Sequence, residues 1–341
     1  MASTISKNAY GVSTSKNCIN GGEMLTACGG DFDIEKRQVY YQSPIANSFG
    51  SVDSDGQIIP EMQWQDINLF VPVRSDTGHH IADATVGDGY NIVQNSEVIE
   101  IVDAICGSHN LNYNFMTLLK GGRGLAVQVE CPDLSSALNV GDDQNRGRMT
   151  ISNFHDGTGT LKVHMSLLRL FCSNVLPALN REFRTVRKSQ RTAAYSIRHS
   201  SMIPERIAAM VATYQEAMED MVSTADLLRS LASHQCSWQA RKAFFKSLVN
   251  KDGKDERELT SRARKIRETK LHQVQKSFHN PLNKVADASG SWYEVLQAAT
   301  WIGSHEANGR VDNHWEHAEM GGGAQYSSEA LQLALEMSDI A

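Results

Sequence analysis

The sequence lacks several features that identify whole classes of protein. No run reaches the eighteen or so apolar residues that a membrane helix requires. The N-terminal stretch MASTISKNAYGVSTSKN has no apolar region behind its basic residues, so we expect neither secretion nor membrane insertion. The six cysteines are scattered and include no C-x-x-C pair, which argues against a zinc ribbon or a disulfide scaffold. A cytoplasmic protein with reduced thiols is the simplest interpretation.

Motifs for nucleotide hydrolysis and nucleophilic catalysis are also missing. The glycine-rich stretch KGGRG at residues 120–124 lacks the G-x-x-x-x-G-K-[ST] spacing that builds a phosphate cradle. No serine stands in a G-x-S-x-G setting, the arrangement that exposes a nucleophile on a strained turn. The sequence therefore gives no motif for an ATP-driven or hydrolytic enzyme, and it predicts no cofactor.

Charge is distributed unevenly along the chain. The net charge is −6 over 341 residues, but residues 181–276 hold 20 Lys and Arg against 11 Asp and Glu. The rest of the chain holds 13 against 28. A basic middle between acidic flanks is typical of a protein that meets a polyanion with one surface and stays soluble through the remainder. Exposed helices with solvated Lys and Arg side chains are the alternative.

The hydrophobic pattern predicts an α+β fold. Residues 1–60 are rich in Ser, Asn and Gly and predict an irregular N-terminal arm. Short strand patterns between residues 61 and 200, separated by Gly- and Asp-containing turns, predict an antiparallel β-meander sheet. A helix pattern that begins near Asn95 would pack across one face of that sheet. We expect this sheet domain to be followed by a mostly helical region, residues 201–341, with helices at 237–249 and 256–278.

The turn HDGTGT at residues 155–160 is the best candidate for metal or acid–base chemistry. His155, Asp156 and His164 offer imidazole and carboxylate groups, which divalent ions accept. His155 and His164 are separated by a turn and by an odd number of residues, so the strand pattern does not put them on one face. Asp-Gly is also an ordinary hairpin signal. A structural turn is therefore the favoured interpretation, and a metal-dependent nucleic-acid enzyme is the alternative.

A basic segment between residues 181 and 198 gives the stronger functional signal. Several of its cations recur at helical spacing, and aromatic residues lie between them. Cations of this kind neutralise phosphates and release counterions, and aromatic rings can stack on bases. The predicted nucleic-acid contacts are Lys120, Arg123, Arg181, Arg184, Arg187, Lys188, Arg191, Tyr195 and Arg198. Lys120 and Arg123 would extend the track from the glycine-rich turn.

The order of these features resembles a family of phage and plasmid proteins, domain-of-unknown-function family 932. The segments that carry the resemblance are VRSDTGHHIADATVGDGYNIVQNSEVIEIVDAI, the KGGRG turn, SNFHDGTGTLKVHMSLLRLFCSNVL, YSIRHS and GSWYEVLQAATWI. The resemblance covers about residue 60 to the end. It implies a protein from a mobile element, acting in the cytoplasm of a bacterial host.

The resemblance also implies kinship with the single-strand annealing proteins of phages, whose core is a β-meander crossed by a helix. Such proteins form homo-oligomers that hold single-stranded DNA by its backbone and need no ATP. The expected function is therefore single-stranded DNA binding that promotes annealing or recombination. Besides the metal enzyme, a phage accessory or structural protein that meets other proteins through its long helices stays open.

Overall fold

The architecture was determined from a computed structural model. It describes residues 5–8, 11–14, 20–45, 50–81, 85–109, 111–134, 136–157, 161–182, 192, 194–197, 203–250, 258–305 and 314–340. The strands are β1 (Ile5–Asn8), β2 (Gly11–Thr14), β3 (Ile34–Pro44), β4 (Met62–Arg74), β5 (Val86–Gly87), β6 (Asn112–Leu119), β7 (Gly124–Cys131), β8 (Asn145–Phe154), β9 (Leu161–Arg169), β10 (Val175–Pro177) and β11 (Ala194–Ile197). The helices are α1 (Gly21–Cys28), α2 (Asn95–His109), α3 (Ile203–Ser233), α4 (Trp238–Val249), α5 (Ser261–Phe278), α6 (Trp292–His305), α7 (His314–Glu319) and α8 (Gly322–Met337). The predicted α+β class, with a helical C-terminal region, is confirmed.

The main sheet is antiparallel and has the order β1-β2-β6-β7-β8-β9-β10, with β11 pairing beside β10 on the outer edge of β9. Successive residues of β7, and of β8 from Met149 to Asn153, are buried almost without interruption. Successive side chains of a strand point to opposite faces, so this pattern shows that both faces of the central strands are covered. Helix α2 contributes Ile101, Val102 and Ile105 to the core.

The predicted single sheet is in fact two sheets. Strands β3 and β4 pair with each other over their length, from Ile34 opposite Arg74 to Pro44 opposite Met62, and form a separate sheet with β5. The base of this hairpin packs on the main body through a small cluster that contains Phe32, Ile34 and Ile81. The strand predicted near residue 70 is present as β4. Its partner, β3, comes from the N-terminal region, and the periodicity within a strand does not reveal its partner.

The prediction of an irregular arm at residues 1–60 is wrong for much of that region. Helix α1 begins after Asn20, whose side chain accepts a hydrogen bond from the Glu23 N–H at 3.2 Å, and it ends at Gly29 with φ 77°. Met24 is buried in the main core. Two of the residues that suggested irregular structure, Asn20 and Gly29, therefore serve as helix caps, a position that Asn and Gly favour.

The sheet region and the helical region share one hydrophobic core. It contains Met149 and Val163 from the sheet together with Leu228, Leu296 and Leu331 from the helices. Helix α4 lies within the predicted span 237–249, with Ser237 as its N-cap. Helix α5 begins at Ser261, later than predicted, with Thr260 as its N-cap. No helix among the residues described is long and apolar enough to cross a membrane.

Candidate nucleic-acid interface

The glycine-rich turn at 120–123 joins β6 to β7 and brings two predicted contacts to one end of the sheet. Lys120 lies in the left-handed region with φ 46°, and its Nζ lies 5.3 Å from the centre of the Phe154 ring. Arg123 Nη2 lies 3.2 Å from Asp156 Oδ2. Because Asp156 is almost fully buried, this ion pair fixes the Arg123 guanidinium against the HDG turn. The Asp156 carboxylate thus already balances the positive charge of Arg123 that was predicted to contact a phosphate.

His155 is a structural residue at the end of β8. It is fully buried, its Nδ1 lies 3.1 Å from the Val93 carbonyl oxygen, and its Nε2 lies 3.0 Å from Asn95 Oδ1. Both ring nitrogens are therefore in use, which leaves neither for a metal ion. Asn95 in turn donates to the Gly30 carbonyl oxygen at 2.9 Å, so the HDG turn is tied to the start of α2 and the end of α1.

His164 lies away from His155, in the middle of β9 opposite Thr150. It borders a cavity of about 660 Å³ that Pro177 and Glu319 also line. Burial, with a smaller effect from the Lys162 cation, lowers its pKa to about 4, so the ring is neutral near pH 7. In the part of the chain that the structure describes, no three His, Cys, Asp or Glu side chains are placed to hold a metal ion.

Arg181 and Tyr195 converge on Asp220, a buried carboxylate of α3. The Arg181 N–H donates to Asp220 Oδ1 at 3.0 Å, its guanidinium pairs with Glu219, and the Tyr195 hydroxyl donates to Asp220 Oδ2 at 2.6 Å. Burial, and then the hydrogen bond to Asp220, raises the pKa of Tyr195. The Tyr195 ring packs partly against the core. Contacts of these two residues with DNA stay predictions.

The chain just before the predicted basic segment lies close to Thr192, which is within the segment. Leu179 and Thr192 form an antiparallel bridge, and the Leu179 N–H donates to Thr224 Oγ1 of α3 at 2.9 Å. Residues 181 and 182 form a turn rather than the start of the expected helix. The predicted contacts Arg184, Arg187, Lys188, Arg191 and Arg198 lie outside the described residues.

Other arginines of the sheet are held by carboxylates in the same way. Arg169 is 3% exposed, its Nε lies 2.7 Å from Asp143 Oδ2, and it donates to the carbonyl oxygens of Leu282 and Lys284 at 2.8 and 3.1 Å. The Tyr293 hydroxyl donates to the same Asp143 oxygen at 2.7 Å. Arg169 thus ties the sheet to the segment before α6.

Helices α4 and α5 have the opposite composition. Within their bounds they contain nine Lys and Arg and a single acidic residue, Glu268. The helices pack together through the T-shaped contact of Phe245 with Phe278, whose ring centroids are 6.1 Å apart. Seven of the cations are exposed, and we call them the α4–α5 basic surface: Lys242, Lys246, Arg262, Arg264, Lys265, Lys270 and Lys276. The sequence interpretation missed this surface.

The missed signal lies in the start of α5. The predicted helix 256–278 includes acidic residues before position 260. Thr260 caps the helix, its Oγ1 accepting from the Ala263 N–H at 3.2 Å, and leaves those residues outside α5. The N-cap residue Thr260, followed by several cations, would therefore have predicted a helix that starts after the acidic residues.

An exposed tryptophan stands at the start of α4. Trp238 is 59% exposed, and the Lys242 Nζ lies 5.2 Å from its ring centre. Neither α4 nor α5 has an acidic residue in its first turn, and Arg262 stands in the first turn of α5. A cation at a helix N-terminus opposes the helix dipole, so a bound anion near this end would be stabilised by both the cation and the helix.

These features define an α+β protein with a cationic helical surface that carries an exposed aromatic side chain. Residues 83–320 match the family model described as a domain of unknown function, DUF932. Because the match covers more than half of the chain, the protein belongs to the DUF932 family. Comparison with curated proteins and with solved structures gives no match.

Proposed function

We propose that this protein binds single-stranded DNA and promotes ATP-independent strand annealing or recombination, as a homo-oligomer in the cytoplasm of a phage or plasmid host. The observation that supports the proposal is the α4–α5 basic surface, whose seven exposed cations lie on two helices that contain a single acidic residue. A single strand is held by cations that track its backbone and by aromatic side chains on which bases stack. Lys242 beside the exposed ring of Trp238 offers both contacts within 5.2 Å.

The predicted segment at 181–198 is proposed as an extension of this surface. Two of its described residues, Arg181 and Tyr195, lie beside α3 and donate hydrogen bonds to Asp220. Lys120 and Arg123 are placed to contribute less, because the Phe154 ring and the Asp156 carboxylate already engage them. We therefore expect the principal phosphate contacts on α4 and α5, and weaker ones at the end of the sheet.

A salt titration of binding to a single-stranded oligonucleotide tests the proposal. For single strands, each neutralised phosphate contributes about −0.7 to the slope of log K against log salt. Replacement of Lys242, Lys246 and Lys265 by Glu is expected to weaken binding at low salt and to reduce the magnitude of the slope by roughly 2. The double variant Arg184→Glu with Lys188→Glu measures the contribution of the other segment in the same assay.

Arg37→Glu is the matched control, because Arg37 is an exposed cation on β3 beside Glu35. It should leave the slope unchanged. Circular dichroism confirms that each variant folds. Wild-type protein without measurable affinity for single strands at low salt, or a triple variant with the slope of the wild type, would count decisively against the proposal.

A second candidate function is supported by the hairpin formed by β3 and β4. Its distal part exposes Tyr40, Met62 and Trp64, which the pairing register places on one face with Pro44. Exposed apolar side chains grouped on one face are typical of protein contact surfaces. An accessory or structural role would follow if mass measurement finds a complex with another protein that Trp64→Ser abolishes while DNA affinity stays absent.

A further inference from the structure

The distal part of the hairpin formed by β3 and β4 carries charge of one sign. The sequence has no Lys or Arg from residue 38 to residue 73, whereas it has four acidic residues there: Asp53, Asp55, Glu61 and Asp66. The last three are exposed. We call residues 40–45 and 50–66, which contain all four carboxylates, the acidic hairpin. Its charge is therefore negative throughout, unlike that of the helices α4 and α5.

The acidic hairpin also holds most of the exposed apolar surface. Thirteen large apolar side chains are exposed among the residues that the structure describes, and seven of them belong to this hairpin: Tyr40, Tyr41, Val52, Ile58, Ile59, Met62 and Trp64. The register pairs Tyr40 with Asp66 and Gln42 with Trp64, so an aromatic ring and a carboxylate share one face with a second ring. A concentration of apolar side chains at the surface marks a contact surface.

The tip of the acidic hairpin has a defined structure. Val52 and Ile58 form an antiparallel bridge, and the Asp53 N–H donates to the Gln57 carbonyl oxygen at 2.9 Å. Asp53 Oδ1 accepts from the N–H groups of Asp55 and Gln57 at 2.9 and 2.8 Å. Because these bonds already order the turn, docking of the tip on a partner costs little additional conformational entropy.

The α4–α5 basic surface has the complementary composition. Its seven cations are exposed, and two further large apolar side chains are exposed on the same helices, Trp238 at 59% and Ile266 at 47%. Ile266 follows Lys265 directly and stands one turn before Lys270 on α5. Cations and apolar groups thus lie side by side on these helices, as carboxylates and apolar groups do on the hairpin. Both surfaces are exposed in one molecule, so each is available to a second copy.

We propose that the acidic hairpin of one molecule docks on the α4–α5 basic surface of a second copy of this chain. Carboxylates of the hairpin then meet the Lys and Arg side chains of the helices, and the exposed apolar groups of the two surfaces are buried together. Complementary charge of this kind steers the encounter and fixes the orientation of the partners. Because the contact joins two different surfaces, it closes into a ring or extends as a filament, unless two molecules exchange hairpins.

The inference rests on the homo-oligomer of the proposed function, and it adds a form of regulation. The carboxylates and aromatic rings of the hairpin meet the same cations that are proposed to bind the phosphates and bases of a strand. Self-association in the absence of DNA therefore covers the DNA-binding surface, and a single strand competes with the hairpin for it. The contact itself requires no DNA, so it is tested without DNA.

Sedimentation velocity of the full chain without DNA measures the association. The wild type is expected to associate at low salt and to dissociate as salt is raised, because salt screens exposed charges. Asp55→Lys with Glu61→Lys should raise the dissociation constant at least about tenfold, because two attractive contacts become repulsive. Lys242→Glu, Lys246→Glu and Lys265→Glu together should have the same effect from the other side. A mixture of the two variants should regain association, since each retains the surface that the other has lost.

The matched control is Glu100→Lys with Glu205→Lys, which makes the same change in net charge at exposed carboxylates of α2 and α3. It should associate as the wild type does, and circular dichroism confirms that each variant folds. A wild type that stays monomeric at low salt overturns the inference and leaves the hairpin to another protein. Association that survives in the triple lysine variant, or a mixture that regains none, overturns it as well and indicates hairpin-to-hairpin pairing or an unrelated contact.

The outcome is separable from that of the DNA-binding proposal. Strand binding by a monomer that never associates removes this inference and leaves DNA binding in place. Recovery of association in the mixture, with no affinity of any variant for single strands, supports the inference and removes DNA binding. If both hold, a short oligonucleotide in excess should dissociate the wild-type oligomer, whereas an equal ionic strength of chloride should not.

Discussion

The arginines in or next to the main sheet and the cations of α4 and α5 occur in two different settings. Arg123, Arg169 and Arg181 each meet a carboxylate, from Asp156, Asp143 and Asp220 respectively. Helices α4 and α5 contain nine cations and only Glu268 among acidic residues. A basic run in the sequence therefore does not by itself mark a binding surface. The number of carboxylates that fold against it decides how much of its charge is left for a partner.

Removal of the carboxylate under Arg169 should produce the largest effect on the sheet. Asp143→Asn leaves a buried guanidinium without its counter-charge, and breaking a buried pair in this way costs about 3–5 kcal/mol of unfolding free energy. Urea denaturation measures the loss. Asp226→Asn is the control, since Asp226 pairs with Arg229 at the surface and its side chain is 68% exposed. Equal losses in the two variants would contradict the structural role given to Arg169.

Truncation of the exposed Trp238 side chain should give the next largest effect. It should change the affinity for single-stranded DNA rather than the stability of the fold. Trp238→Ala is expected to weaken single-strand binding by about 1–3 kcal/mol, the range for loss of one stacked base. The unfolding free energy should change little, because the ring is 59% exposed. Trp238→Phe keeps a stacking surface and serves as the control. If alanine and phenylalanine bind DNA as the wild type does, the aromatic side chain has no part in the interface.

The smallest effect is expected at Arg181, whose charge Glu219 and Asp220 already balance. Arg181→Ala should change the affinity for single-stranded DNA by less than about threefold, as for other exposed ion pairs. Glu219→Gln removes one competing carboxylate and should therefore strengthen binding slightly. Anisotropy at one fixed low salt concentration compares the two variants directly. A large loss of affinity in Arg181→Ala would mean that a principal phosphate contact lies next to the sheet. The arginines there, rather than the cations of α4 and α5, would then form the binding surface.

Local sequence signals predicted the elements better than their partners. Asn95 starts α2 and Ser237 caps α4 because a helix start depends on a few neighbouring residues. Strands β3 and β4 pair although a long connection separates them in the sequence. The residue pattern within either strand does not show which strand it will pair with. Asn20 and Gly29 cap α1, although the Ser-, Asn- and Gly-rich stretch that contains them predicted an irregular arm.

The candidate site was predictable only in part for the same reason. The basic character of residues 181–276 was visible in the sequence. That Asp220 reaches both Arg181 and Tyr195 depends on α3 folding against β11, a tertiary contact. Conversely, the sequence does not distinguish the exposed Trp238 from Phe244 and Phe245 of the same helix, whose burial shows which face of α4 points inward.

The Arg169 contacts have a consequence for dividing the chain into fragments. The carbonyl oxygens that receive its guanidinium belong to Leu282 and Lys284, more than a hundred residues away in sequence. A fragment that ends near residue 200 would keep Arg169 and Asp143 but lose those acceptors and the Tyr293 hydroxyl, and with them much of the apolar cover of the sheet. Proteolysis between the sheet and the helices is therefore expected to yield a nicked protein that stays associated, rather than two independently folding halves.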